Sequence, residues 1–242
     1  MSSTNPEERI ADTPFQGFAT SHLPLYSGPR VTIRIGSTNR KYKLLKTLIC
    51  KQSPYFAAAF EGGFREGEEQ SITLTEIDDV VSIRSFELLV QWLYLGRVIF
   101  GKLTPTETIT AAIEFVRIAD MCGVTGMETL MAEHIRAIII ANPAPGPRGS
   151  DTNTYCLISK HIISAASLPE EHPVRSILAA TAVKAYLLDD NYRFQKETQE
   201  VPNFSADLLK AVKATLKSLA ITYSSITVKD PVSGGNVYLG KN

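Results

Sequence analysis

The strongest constraint on how this chain can fold is a short run, Ser53-Pro54-Tyr55-Phe56-Ala57-Ala58-Ala59-Phe60-Glu61-Gly62-Gly63, set between two stretches of alternating apolar and polar residues. Ser53 can cap the free amides of a helix, and Pro54 fits its first turn, where a missing N–H costs nothing. Phe56 and Phe60 fall one turn apart, the alanines between them favour helix, and the glycine pair stops it. Upstream, Val31, Ile33 and Ile35 share one face of an expected strand, with Thr32 and Arg34 on the other; downstream, Ile72 and Leu74 repeat the period. A strand, a turn at 36–39, a second strand, a short helix pair and a third strand must then fit within roughly fifty residues.

The chain continues as helices. Asp78 or Asp79 is placed to open the next one, in which Phe86, Leu89, Val90 and Leu93 form one apolar stripe and Leu88, Trp92 and Leu95 a second. A helix apolar on two sides is buried, so Trp92, the only tryptophan, reads as a core anchor. Gly96 ends this helix, and Val98-Ile99-Phe100 reads as a short strand. Two capping boxes follow, Thr104 with Glu107 and Thr125 with Glu128, each a hydroxyl residue with a carboxylate three places on. The first helix is expected to bury Ile109, Ala112, Ile113 and Val116, the second Met127, Leu130, Met131, Ile135 and Ile138. Pro143, Pro145 and Pro147 then forbid helix and mark a linker. Beyond it helical patterns run over 154–167, 173–188 and 205–220, the last with Leu208, Leu209, Val212, Leu216 and Leu219 on its apolar side. A strand is expected at 225–228, before a turn at Gly234-Gly235.

Taken in order, V-x-I-x-I, Y-x-x-L-K-x-L-I-C-x-x-S-P-Y-F-x-x-x-F-x-x-x-F-x-E, I-x-L and F-x-L-L-V-x-W-L-Y-L-G, spread from Arg30 to about Ile140, resemble the BTB/POZ domain. The remainder, after Ala141, is similar to the helical tail that follows the domain in fungal proteins of this kind. The resemblance implies an α+β fold, a short BTB/POZ-like sheet capped by helices and followed by an α-helical extension. The expected organisation is a mostly disordered arm over 1–28, the domain over 29–141, a Pro/Gly linker over 142–153, the extension over 154–222 and a tail over 223–242. Within the arm, Phe15, Phe18, Leu23, Leu25 and Tyr26 are available to pack against the domain or against a partner.

The resemblance also implies a class of activity. Such domains bind protein partners and are not enzymes. At Phe64-Arg65-Glu66, an apolar residue, any residue and Glu are similar to the motif by which members dock onto a cullin scaffold of a ubiquitin ligase, with Phe64 as anchor and Glu66 at the rim. A substrate adaptor is one implied role and a dimerising scaffold in transcriptional or signalling assemblies the other. Arg30 stands where many members carry Asp, and Leu45 where they carry His, within the polar patch near the usual dimer surface; a weak homodimer is the expectation.

Composition narrows the alternatives. Twenty-five basic residues balance twenty-five acidic ones, so no overall field draws the protein to nucleic acid or to an anionic membrane. No apolar run approaches the roughly 20 residues of a membrane span, the start of the chain lacks the pattern of a leader, and Cys50, Cys122 and Cys156 are odd in number and widely spaced. A cytoplasmic or nuclear protein is expected. For catalysis the candidates are Cys156 with His161, five apart on an expected helix, and Glu133 beside His134; neither matches a nucleophile or acid–base geometry. His22, His134, His161 and His172 have no ligand-like spacing, so neither metal nor cofactor is implied. Lys210, Lys213 and Lys217 share a face of the last helix, which reads as a solvated surface rather than a nucleic-acid site.

Overall fold

The computed structural model describes residues 18–36, 40–145, 153–222 and 225–240. Contacts divide the chain into two units, one running through Gly101 with Glu114–Gly126, the other comprising Lys102–Ile113 and the chain from Met127 on.

In the first unit, β1 (Arg30–Ile35) pairs antiparallel with β2 (Lys41–Leu45) and parallel with β3 (Ser71–Leu74), in the order β2-β1-β3. Val31, Ile33 and Ile35 are fully buried, as their alternation requires. A parallel pair needs a crossover. It is supplied by α1 (Lys46–Gln52), α2 (Pro54–Glu61) and α3 (Arg65–Glu69). Ser53 Oγ accepts from the Phe56 amide at 3.2 Å and donates to the Cys122 carbonyl at 2.7 Å, so one hydroxyl both caps α2 and fastens it to the chain around Cys122. Gly123 there has φ +66°, and a Cβ on it would stand 3.1 Å from Pro54 Cδ.

Helix α4 (Ile83–Leu95) is capped by Ser82 rather than by Asp78 or Asp79: the Ser82 amide donates to Ser85 Oγ at 2.9 Å and the Ser85 amide to Ser82 Oγ at 3.0 Å. Phe86, Leu89, Trp92 and Leu93 are buried, but Leu95 is 48% exposed, so the second expected stripe is covered only at its centre. Residues 98–100 form no strand; the Ile99 amide is taken by Gln91 Oε1 at 2.7 Å, leaving the segment against its own helix instead of a sheet.

The arm is structured from Phe18 onward. A π turn (Phe18–His22) leads into a 3-10 turn (Leu23–Tyr26), and Leu25 joins Leu45 and Leu48 in an apolar cluster flanked by Tyr26 and Tyr94. The Tyr26 hydroxyl donates to the Tyr94 carbonyl at 2.7 Å, and the Tyr94 hydroxyl accepts from the Leu45 amide at 2.8 Å. The expected disorder is not found over the described part of the arm: Leu25 and the Tyr26–Tyr94 pair hold it. Residues 1–17 lie outside the described chain, as do 37–39 of the expected turn.

The second unit holds α6 (Glu128–Ala141), α7 (Ser159–Ala165), α8 (Pro173–Leu188), α9 (Gln195–Glu200) and α10 (Pro202–Leu216), together with the first part of α5 (Pro105–Met121). The first capping box forms as expected: Thr104 donates through its amide and its hydroxyl to Glu107 Oε2 at 2.8 and 2.7 Å. The second does not, because Gly126 at φ +95° interrupts it and α6 starts at Glu128 without a side-chain cap. Its buried face is Met131, Ala132, Ile135 and Ile139, turned toward α8, so Leu130 is 44% exposed and Ile138 only half-buried. In α10, Leu208 and Val212 are buried with Phe204, while Leu209 and Leu216, and Leu219 beyond the helix, face outward.

The expected tail is a sheet over its described part. Strands β4 (Ala220–Ile221), β5 (Ile226–Lys229) and β6 (Asn236–Gly240) pair antiparallel in that order, and Val228, Val232 and Val237 are buried. Asp230 closes the β5–β6 turn, accepting from the Val232 amide at 2.9 Å and Ser233 Oγ at 3.0 Å. Arg136 on α6 donates to the Val232 carbonyl at 2.9 Å and holds the turn to the helices. The proline linker falls largely outside the described residues, at 146–152.

Candidate protein-binding site

Phe64 sits at the start of α3, where Gly62 and Gly63 release the chain from α2. The turn is clamped from three sides. Gly67 lies so near α2 that a Cβ on it would come within 2.6 Å of the Gly62 carbonyl oxygen. The Phe64 carbonyl accepts from the Gly67 and Glu68 amides at 2.9 and 3.3 Å. Gln70, in the left-handed region at φ 49°, donates its side-chain amide to the carbonyls of Phe60 and Gly67, and Lys46 Nζ reaches the Phe60 carbonyl at 2.8 Å. On this hydrogen-bonded turn the Phe64 side chain is 63% exposed.

Arg65 points to solvent and pairs with Glu69 at 2.6 Å, an exposed pair of little energetic weight. Glu66 is half-buried. Tyr55, 37% exposed, belongs to the same neighbourhood: burial raises its phenol pKa first, and the Cys122 thiol and the Glu66 carboxylate raise it further. The three expected residues therefore divide: Phe64 presents an exposed ring and Glu66 is half-buried two residues on, while Arg65 faces Glu69. Sequence reasoning missed Tyr55, Gly67 and Gln70. Gly67 inside an otherwise acidic, helix-favouring run was the available signal, since a glycine there marks a close backbone approach.

At the other end of the sheet, Arg30 and Leu45 are direct partners across β1 and β2. Leu45 is only 8% exposed, under Leu25 and beside Leu48, and so offers no polar or exposed surface.

The catalytic candidates do not assemble. Cys156 lies in the turn ahead of α7, not on a helix; its thiol approaches the Asn142 carbonyl at 3.5 Å, and burial pushes its pKa up despite the Arg193 guanidinium. His161 is buried, with Nδ1 accepting from the Ile158 amide at 3.3 Å and Nε2 2.8 Å from Thr110 Oγ1. Glu133 is exposed beside Arg136 at 3.6 Å. His161 is a capping residue, and burial, reinforced by the charges of Arg193 and Lys160, lowers its pKa to about 4. Because the folded value lies below the ordinary 6.5, this contribution to stability is complete above pH 6.5 and is lost as pH falls toward 4. The loss should total about 3 kcal/mol. Urea midpoints measured across that range should converge for the wild type and His161→Gln as pH falls; a constant difference would refute the assignment.

Residues 29–135 match the family model of the BTB/POZ domain. The chain carries a BTB/POZ domain. Two human proteins, Kelch repeat and BTB domain-containing proteins 7 and 6, are each 30% identical to it over 128 residues, which is 47% of this chain and 18% of either relative. The chain thus aligns with less than a fifth of the length of these relatives. The BTB/POZ domain is a protein-interaction module, and the Phe64 turn lies inside it.

Proposed function

We propose that the protein is an adaptor whose BTB/POZ domain docks onto a cullin scaffold of a ubiquitin ligase through Phe64, with Glu66 fixing register at the rim and the helical extension over 154–222 supporting the contact or recruiting a substrate. One observation carries this reading: a large aromatic side chain, 63% exposed, stands on a turn held in place by backbone and side-chain hydrogen bonds. Exposed aromatics on rigid platforms with a polar rim are the usual anchors of protein interfaces, because little conformational freedom is lost on binding. Cys50, Cys122 and Cys156 are all free thiols, which suits the cytoplasm or nucleus. No helix among the described residues is long and apolar enough to cross a membrane.

Phe64→Ala should weaken binding to the N-terminal region of a cullin by about 2 kcal/mol or more and leave the melting temperature nearly unchanged, since little of the ring is buried. Glu66→Lys should weaken binding in a salt-dependent way. Calorimetric titration with melting curves separates anchor from core: a drop of several degrees with intact binding would place Phe64 in the core. If the wild type shows no cullin binding at concentrations on the order of tens of micromolar, the adaptor reading fails and the dimerising scaffold takes its place.

A further inference from the structure

The second unit leaves an apolar stripe uncovered. Leu209 and Leu216, seven residues apart and so on one line of α10, are 60% and 43% exposed, while Phe204, Leu208 and Val212 occupy the adjoining, buried side. The exposed apolar surface continues past the helix through Leu219, 45% exposed, to Ile221 on β4, 68% exposed. Single exposed leucines need no explanation, but three leucines and an isoleucine along the end of a helix and into a strand make a patch. Lys213 and Lys217 run beside it, both exposed. Lys210, the third lysine, is held by Glu170 at 2.7 Å, whereas among the described residues neither Lys213 nor Lys217 has an ion-pair partner.

We propose that this stripe, Leu209, Leu216, Leu219 and Ile221 with Lys213 and Lys217 at its rim, docks an acidic amphipathic segment of a partner protein. An apolar line two helical turns long matches the anchor spacing of a helix laid alongside it. Two unneutralised ammonium groups select carboxylates flanking those anchors. An anionic membrane is a poorer fit, because such surfaces recruit clusters of about four to eight basic residues and the rim supplies two. A second copy of the chain fits poorly as well: a two-fold contact brings the same patch against itself, lysines facing lysines, with no carboxylate in the stripe to pair them. The proposal is independent of Phe64, which lies in the other unit.

The test is selection of a phage-displayed library of helical peptides on the full chain, with Leu209→Ser/Leu216→Ser protein used to remove unrelated binders. Enriched peptides should carry Asp or Glu beside Leu, Ile or Phe at spacings of three and four. Measured by fluorescence anisotropy, their affinity should fall about tenfold or more for Leu209→Ala/Leu216→Ala and again for Lys213→Glu/Lys217→Glu, with the melting temperature retained because all four side chains are exposed. Three results would overturn the proposal: enrichment of basic or uncharged peptides, or of none that distinguishes the variants; a wild-type dimer that the leucine substitutions disperse; or binding to phosphatidylserine-rich vesicles without any acidic peptide.

Discussion

Asp207→Ala should destabilise the second unit by about 3–5 kcal/mol, more than any surface substitution, because it strands a buried cation. Arg175 on α8 and Asp207 on α10 have side chains only 6% and 10% exposed and meet at 2.8 Å. The guanidinium also donates to the Leu168 carbonyl at 2.8 Å and more loosely to the Asn203 carbonyl at 3.4 Å. These neutral acceptors remain in the variant, but the compensating charge does not. The pair itself is a weaker stabiliser than this loss suggests, since desolvating two ions offsets much of their attraction. Replacing both, Arg175→Met with Asp207→Leu, should therefore cost far less than Asp207→Ala alone. Urea denaturation followed by circular dichroism checks this, and a double variant no better than the single one would contradict it.

Trp92→Ala should cost the first unit about 3–5 kcal/mol, through lost burial and the cavity left behind. The indole is 3% exposed on α4, with its ring 6.0 Å from that of Phe115. Helix α4 packs on α1, whose Gln52 side chain donates to the Leu93 carbonyl at 2.7 Å. Trp92→Phe should recover part of the loss. Since Trp92 is the only tryptophan, its emission reports unfolding of the wild type, while the Ala variant has to be followed by circular dichroism. A near-neutral Trp92→Ala would be incompatible with this packing.

What the sequence determined by itself is the local part. Ser53 capping α2, Thr104 with Glu107 opening α5, Gly96 closing α4 and the alternation of Val31, Ile33 and Ile35 each depend on residues within one or two turns of one another, and each is found in the fold. The exposure of Phe64 belongs to this local part too, because the glycine pair before it releases the chain from α2. Tertiary structure decided the rest, because the deciding partner is distant in sequence. Leu25 covers Leu45, Gln70 reaches back to Phe60, Arg175 finds Asp207, and Arg136 holds the β5–β6 turn. Helix faces show the limit most clearly: Ile138 and Ile139 are equally apolar, yet Ile139 is buried and Ile138 only half-buried, because the position of α8 sets which line of α6 is covered. Periodicity indicates that a helix has a core side, but where neighbouring lines are both apolar only the element packed against it selects between them.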